Sequence, residues 1–176
     1  MKLWDYLKSK MILYKDRIAF ANLGITYNEL INLSSFEKKD KRVRLCDGET
    51  RELHAFNIIK SIAKGEVVVP VSLEYGERNY EYIKKEIANA KDLDDLAFIM
   101  FTSGTTGYPK GVMLTDLNII SNLEYIDRYF DTKDCLSICI GRPLVHIAVL
   151  TGELLYALCH GLTIHFFEES FMLLYS

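Results

Sequence analysis

The sequence lacks the paired cysteines that hold a structural metal ion. Its four cysteines, Cys46, Cys135, Cys139 and Cys159, include no Cys-x-x-Cys pair, and its four histidines show no ligand spacing. A structural zinc site is therefore not indicated, and unpaired thiols fit a reducing, cytoplasmic location. Because Cys135 and Cys139 stand in an apolar run, we predict that both are free, buried thiols.

The sequence also lacks an excess of positive charge. Its net charge is −3 over 176 residues, and the basic run at residues 38–44 is short and has no interleaved aromatic side chains. We therefore expect no nucleic-acid partner. With 49% apolar and 26% charged residues, the composition is that of an ordinary globular protein, and the length suffices for one domain with a sizeable core.

No signal peptide is visible, because charged residues recur every few positions between residues 2 and 17. An apolar stretch at residues 143–167 carries a single acidic residue, Glu153, but also three histidines and Gly161. These interruptions argue against a membrane span. We predict a buried helix followed by a buried strand in this stretch.

Glycine and hydroxyl residues are concentrated in residues 101–111, directly after an apolar run at 96–101 that predicts a buried strand. Glycines let the backbone turn sharply and approach a ligand closely, so main-chain N–H groups and hydroxyls can donate to anionic oxygens. One lysine adds positive charge. The pattern is typical of a polyphosphate-binding loop, whose candidate ligand groups are Thr102, Ser103, Gly104, Thr105, Thr106, Gly107 and Lys110.

Three common glycine motifs do not fit this stretch. The usual nucleotide-binding loop of kinases and GTPases needs four residues between its glycines, whereas two residues separate Gly104 from Gly107. That loop also needs Ser or Thr after its lysine, and here Gly111 follows Lys110. A dinucleotide fingerprint would lack its first glycine, and Phe101 stands where a nucleophile elbow needs one. A plain turn between two strands is the remaining alternative.

The run Thr-Ser-Gly-Thr-Thr-Gly-Tyr-Pro-Lys-Gly at residues 102–111 resembles, without a departure, the signature loop of the adenylate-forming (AMP-binding) enzyme superfamily. This superfamily includes acyl-CoA synthetases, luciferases and the adenylation domains of peptide synthetases. The resemblance implies that the loop residues bind the phosphates of ATP, with Mg²⁺ sharing the charge. It implies a ligase that joins a small carboxylic acid to AMP and passes the acyl group to CoA or a carrier-protein thiol.

Other stretches resemble the same superfamily. Residues 26–30, Thr-Tyr-Asn-Glu-Leu, match its opening segment and have the spacing of a capping box. Residues 143–146, Pro-Leu-Val-His, match a segment whose histidine lies beside the carboxylic substrate, so His146 is the candidate residue of the substrate pocket. The chain departs from the superfamily in having Asp116 where a histidine is usual, and in having less chain before the loop.

The fold expected from these patterns is α/β, with helices packed on a largely parallel or mixed sheet. It corresponds to the incomplete N-terminal subdomain of an adenylate-forming enzyme, so that residues 1–176 are a partial AMP-binding domain without the C-terminal part and the lid domain. Helices are predicted at 3–13, 51–63, 78–90, about 116–130 and up to 160. Strands are predicted at 17–21, 43–46, 66–71, 96–101, 111–114, 135–140 and 162–167.

The superfamily's adenosine-binding motifs, Mg²⁺-binding glutamate and catalytic lysine have no counterpart in these residues. We therefore name no catalytic or metal-binding residue and expect that this chain alone does not make acyl-adenylates. A non-catalytic phosphate-binding or interaction module, or one half of a split ligase, are the alternatives. The acid stays open between amino, fatty and aromatic acids.

Overall fold

The computed structural model describes residues 1–34, 42–72, 76–88, 90–91, 93–102 and 108–167. The helices are α1 (Leu3–Met11), α2 (Tyr27–Ile31), α3 (Arg51–Ala63), α4 (Gly76–Ala88), α5 (Asp116–Ile126), α6 (Ile147–Val149) and α7 (Tyr156–His160). The strands are β1 (Ile18–Phe20), β2 (Ile25–Thr26), β3 (Val43–Cys46), β4 (Val67–Pro70), β5 (Leu96–Thr102), β6 (Lys110–Thr115), β7 (Ser137–Ile140) and β8 (Thr163–Phe166). Short 3₁₀ turns follow α1 and α2, and a π-helical segment, Leu150–Leu155, joins α6 to α7.

The strands form two mixed sheets of four strands each, which confirms the expected α/β class. The first sheet has the order β2-β1-β8-β7, with β1, β8 and β7 parallel and β2 antiparallel to β1. The second has the order β3-β4-β5-β6, with β3, β4 and β5 parallel and β6 antiparallel to β5. The sequence pattern located every strand except β2, and it did not divide the strands between two sheets.

The second sheet is covered on both faces because its central strands alternate between two hydrophobic clusters. Val68 and Phe98 pack into the main core with α1 and α3, whereas Val67 and Ile99 pack with Ile83 of α4. All four residues of β4 are buried. Apolar side chains on every position are what a parallel strand needs when helices cover both its faces.

The ends of two helices agree with the residues that predicted them. The Thr26 hydroxyl accepts a hydrogen bond from the Glu29 amide and the Glu29 carboxylate accepts one from the Thr26 amide, which confirms the capping box. Helix α3 has the predicted bounds and is followed by Gly65 with φ +72°. Helix α5 is shorter than the predicted 116–130 and ends at Ile126, and Phe130 beyond its end is 64% exposed.

The prediction that Cys135 and Cys139 are buried is wrong. Both are exposed, and Leu136 between them is 76% exposed. The reason is that β7 is the last strand of the described first sheet, and Cys135 precedes it. An apolar run has the same composition in an edge strand as in a covered one, so the sequence pattern did not distinguish them.

Residues 143–167 form the predicted helix and strand. The segment between Ile147 and His160 is helical throughout, and β8 follows it. Within the described ranges, no helix has both the length and the apolar character that crossing a membrane requires.

Candidate functional site

The predicted phosphate loop is bounded by the antiparallel hairpin of β5 and β6. Thr102 and Lys110 are register partners at the loop end of the hairpin, and the Thr102 hydroxyl donates to the Lys110 carbonyl oxygen at 3.4 Å. The two predicted ligand groups at the ends of the loop therefore stand side by side, and both are exposed. The other predicted groups, Ser103, Gly104, Thr105, Thr106 and Gly107, lie outside the described residues.

The loop end of the hairpin lies at the carboxyl edge of the parallel strands of the second sheet. Strands β3, β4 and β5 are parallel, so they all point their carboxyl ends toward the edge where Thr102 ends β5. In open α/β sheets, ligands bind outside the carboxyl ends of the strands. Thr102 thus ends β5 at the edge where sheets of this class bind ligands.

Gly111, the last residue of the motif, is tightly packed in the hairpin. A Cβ atom at this position would lie 3.0 Å from the Ile99 side chain and 3.2 Å from the Phe101 ring. Such contacts are too close for a side chain unless its neighbours shift. Glycine therefore lets the apolar face of β5 pack against the backbone of β6.

Tyr108 contacts helix α4 just before β6 begins. The Arg78 guanidinium donates to the Tyr108 hydroxyl at 3.1 Å, and the Tyr82 and Tyr108 ring centroids are 5.1 Å apart. None of these three residues is among the ligand groups predicted from the motif. The four-residue spacing of Arg78 and Tyr82, which puts both on one face of a helix, was the signal that could have found them.

His146 lies between β7 and α6, at the N-cap of α6. Its side chain is exposed, and its carbonyl oxygen accepts hydrogen bonds from the amides of Val149 and Leu150, both at 3.0 Å. No hydrogen bond among the described residues joins His146 to Thr102 or Lys110. His146 follows β7 of the first sheet, whereas Thr102 and Lys110 belong to β5 and β6 of the second.

The chain around His146 is held by contacts to neighbouring elements. Arg51 at the start of α3 donates to the Gly141 carbonyl oxygen, and Arg142 forms an ion pair with Glu153. Glu153 belongs to the π-helical segment, where the Thr151 hydroxyl donates to the Ile147 carbonyl oxygen at 2.8 Å. Short π-helical turns within α-helices are frequent at functional sites.

Comparison with known proteins shows what kind of chain this is. The family model for the AMP-binding enzyme matches residues 21–174. The chain belongs to the AMP-binding enzyme family. This match includes the hairpin of β5 and β6, the loop between them and His146.

Curated relatives of this AMP-binding chain include two ligases. A medium-chain-fatty-acid–[acyl-carrier-protein] ligase, TtuA, of Teredinibacter turnerae is 37% identical over 73 residues, covering 42% of this chain and 11% of that protein. A long-chain-fatty-acid–CoA ligase of Haemophilus influenzae is 39% identical over 88 residues, covering 47% of this chain and 15% of that protein. The chain thus matches only a small part of the length of these relatives.

Solved structures resemble nearly the whole AMP-binding chain. The inhibitor-bound N-terminal domain of FACL13 from Mycobacterium tuberculosis matches with a TM-score of 0.71 and 18% identity, over 95% of this chain and 57% of that one. ATP-bound MatB from Rhodopseudomonas palustris matches with a TM-score of 0.69 and 19% identity, over 96% and 45%. At such low identity the likeness shows a shared fold.

In this member of the AMP-binding family, Asp116 has a structural role. Its Oδ1 atom accepts a hydrogen bond from the Leu3 amide at 3.1 Å, and its Oδ2 atom lies 3.2 Å from the Lys2 ammonium. Lys2 is the N-cap of α1 and has no side-chain capping bond of its own. The carboxylate of α5 therefore caps α1 from across the fold and fixes it beside the hairpin.

A cavity of about 690 Å³ lies beside the first sheet of this AMP-binding chain. It is lined by the segment 127–133 after α5 and by residues just ahead of three strands, among them Arg17 ahead of β1, Cys135 ahead of β7 and His160 ahead of β8. It is thus at the amino ends of that sheet, whereas ligands of such sheets bind at the carboxyl ends.

Proposed function

We propose that this chain supplies the ATP phosphate-binding part of an AMP-forming acid ligase. Thr102, Lys110 and the five residues Ser103, Gly104, Thr105, Thr106 and Gly107 bind the phosphates, and His146 lines the pocket for the carboxylic acid. The observation that carries the proposal is the register pair of Thr102 and Lys110 at the carboxyl edge of the second sheet.

The proposed chemistry has two halves. The acid's carboxylate oxygen attacks the α-phosphorus of ATP, the bond to the bridging oxygen breaks, and pyrophosphate leaves with that electron pair. Charge accumulates on the departing oxygens, so hydroxyl and amide donors and the Lys110 ammonium stabilise the transition state more than the ground state. The acyl-adenylate is then attacked by a thiol, which the relatives' names favour as CoA or an acyl-carrier protein.

Mg²⁺ fits this proposal as a companion of ATP. The described residues contain no group of three or more His, Cys, Asp or Glu side chains that could hold a metal ion. We therefore assign the ion to the ATP phosphates, where Mg²⁺ is usually held by few protein ligands and several waters. Within the protein, Lys110 neutralises phosphate charge beside it.

We also propose that residues 1–176 correspond to a partial N-terminal domain and act in the cytoplasm. The fatty-acid ligases among the relatives favour an aliphatic acid. A panel of fatty, aromatic and amino acids, supplied with the C-terminal part of a related ligase in trans, would identify the acid by pyrophosphate exchange. The chain alone should show no exchange, and robust exchange by the purified chain would contradict this expectation.

Calorimetric titration with MgATP tests the phosphate-binding part directly. Lys110→Ala should weaken binding about tenfold to a hundredfold, because a charge-assisted hydrogen bond contributes about 1.5–3 kcal/mol. Lys133→Ala is the matched control, since it removes one exposed lysine far along the chain that pairs with Asp131. Equal affinities of the parent and Lys110→Ala would refute the assignment of Lys110.

A further inference from the structure

Tyr108 is fixed to α4 by three contacts at the point where the loop rejoins β6. Arg78 donates a hydrogen bond to its hydroxyl, the Arg78 guanidinium carbon lies 5.5 Å from its ring centroid, and the Tyr82 ring packs beside it at an interplanar angle of 33°. Cation–π and aromatic pair contacts both restrict the orientation of a ring. We call Arg78, Tyr82 and Tyr108 the Tyr108 cluster.

Helix α4, which carries two members of this cluster, packs on β5 through one buried residue. Ile83, next in sequence to Tyr82, is fully buried and packs with Ile99 and Phe101 of β5 in the second hydrophobic cluster. The same helix thus contacts the strand that enters the loop and the residue that leaves it. Side chains locked by packing of their own element are what a precisely positioned binding site requires.

We propose that Arg78 and Tyr82 are positioning residues for ATP: by holding Tyr108, they fix the carboxyl-terminal end of the phosphate loop. The Thr102–Lys110 pair joins the two strands at the loop end of the hairpin, and the Tyr108 cluster adds an attachment outside the hairpin. A loop restrained before ATP arrives loses less conformational entropy on binding, which raises affinity. This inference rests on the proposed function.

A direct contact between Arg78 and a phosphate is the competing explanation, because Arg78 is an exposed cation beside the loop. The two explanations differ in how mutations combine. If Arg78 acts through Tyr108, then Arg78→Ala has no further effect once Tyr108 is alanine. If Arg78 binds phosphate itself, the effects of the two changes multiply. A double-mutant cycle separates these cases.

The first experiment uses hydrogen–deuterium exchange without ATP. Arg78→Ala, Tyr108→Ala and the double variant should each speed exchange of the amides of residues 110–112 by about threefold to tenfold, with no greater effect in the double variant. Tyr108→Phe, which keeps the ring and loses the hydroxyl, should fall between Tyr108→Ala and the parent. Unchanged exchange in Arg78→Ala and Tyr108→Ala would overturn the proposal.

Lys84→Ala is the control. Lys84 lies on the same helix, pairs with Glu81 and stands 4.6 Å from the centroid of the Tyr80 ring, so its loss removes the same charge and the same kind of contact elsewhere on α4. It should leave exchange in β6 unchanged. If it accelerates that exchange as much as Arg78→Ala does, the effect belongs to α4 as a whole and the proposal fails.

The second experiment measures MgATP affinity by calorimetry on the same variants. Each single change should weaken binding about threefold to tenfold, and the double variant should bind as the weaker single does. Multiplied losses would overturn the positioning role in favour of direct contact. A parent chain that binds no MgATP would refute phosphate binding itself, and the exchange data then still decide whether α4 holds Tyr108.

Discussion

Replacing Asp116 tests whether a carboxylate on α5 caps α1 from a distance. Asp116 is largely buried, and it accepts a hydrogen bond from the Leu3 amide, one of the amides at the start of α1 that have no partner within the helix. Asp116→Ala removes this acceptor and the partner of Lys2. It also removes the negative charge from the first turn of α5, where the helix dipole favours an acid.

The expected loss follows from these contacts. Removing a capping side chain costs about 1 kcal/mol, while the ion pair with Lys2 contributes under about 1 kcal/mol because the Lys2 side chain is 55% exposed. We therefore expect Asp116→Ala to lower the free energy of unfolding by about 1–2 kcal/mol, or Tm by about 2–8 °C for a chain of this size. Asp116→Asn keeps an oxygen acceptor and should lose about half as much.

Thermal unfolding followed by circular dichroism gives the measurement, with urea titration as a check on the free energy. Asp134→Ala serves as the matched control, because it removes an exposed acid from the loop after α5. The reasoning is refuted if Asp116→Ala melts at the same temperature as the parent. If Asp116→Asn is as unstable as Asp116→Ala, the charge and not the cap is responsible.

Two further predictions concern the interior. Tyr27→Phe should lower the free energy of unfolding, measured by urea titration, by about 1–3 kcal/mol. The buried Tyr27 hydroxyl donates to the Leu162 carbonyl oxygen at 2.8 Å, and its removal takes this donor away from the oxygen. An unchanged urea midpoint would contradict this prediction. A thiol reagent should label Cys135 and Cys139 in the native chain, whereas Cys46 and Cys159 should react only after unfolding, since both are buried. Burial raises the pKa of Cys46 to about 11 and that of Cys159 to about 12, so few thiolates form there; rapid labelling of either buried thiol would refute the assignment.

Features set by neighbouring residues in the chain could be predicted from the sequence. The bounds of α3 follow from its apolar spacing and the glycine after it, and the Thr26–Glu29 capping box follows from a three-residue interval. The strand before the phosphate loop was equally clear, because its apolar run stops where hydroxyl residues begin. In the candidate site, the motif named Thr102 and Lys110, which the hairpin pairs.

Features that depend on distant contacts could not be predicted in this way. The capping of α1 by Asp116 joins residues 113 positions apart, and the contact of Arg78 with Tyr108 joins residues 30 apart. Local periodicity carries no information on such pairs. For the same reason the apolar run around Cys139 did not show that β7 is at the edge of the described sheet.

The π-helical segment after His146 has a consequence for how this region could vary. A π-helical turn contains one residue more than an α-helical turn. Deleting one residue of this segment would therefore restore α-helical winding and keep the orientation of Tyr156–His160. At the start of the π-helical segment, the Thr151 hydroxyl donates a hydrogen bond to the Ile147 carbonyl oxygen. Single-residue deletions should thus be tolerated at Leu150–Leu155 far better than in α3, where each would rotate all later side chains by about 100°.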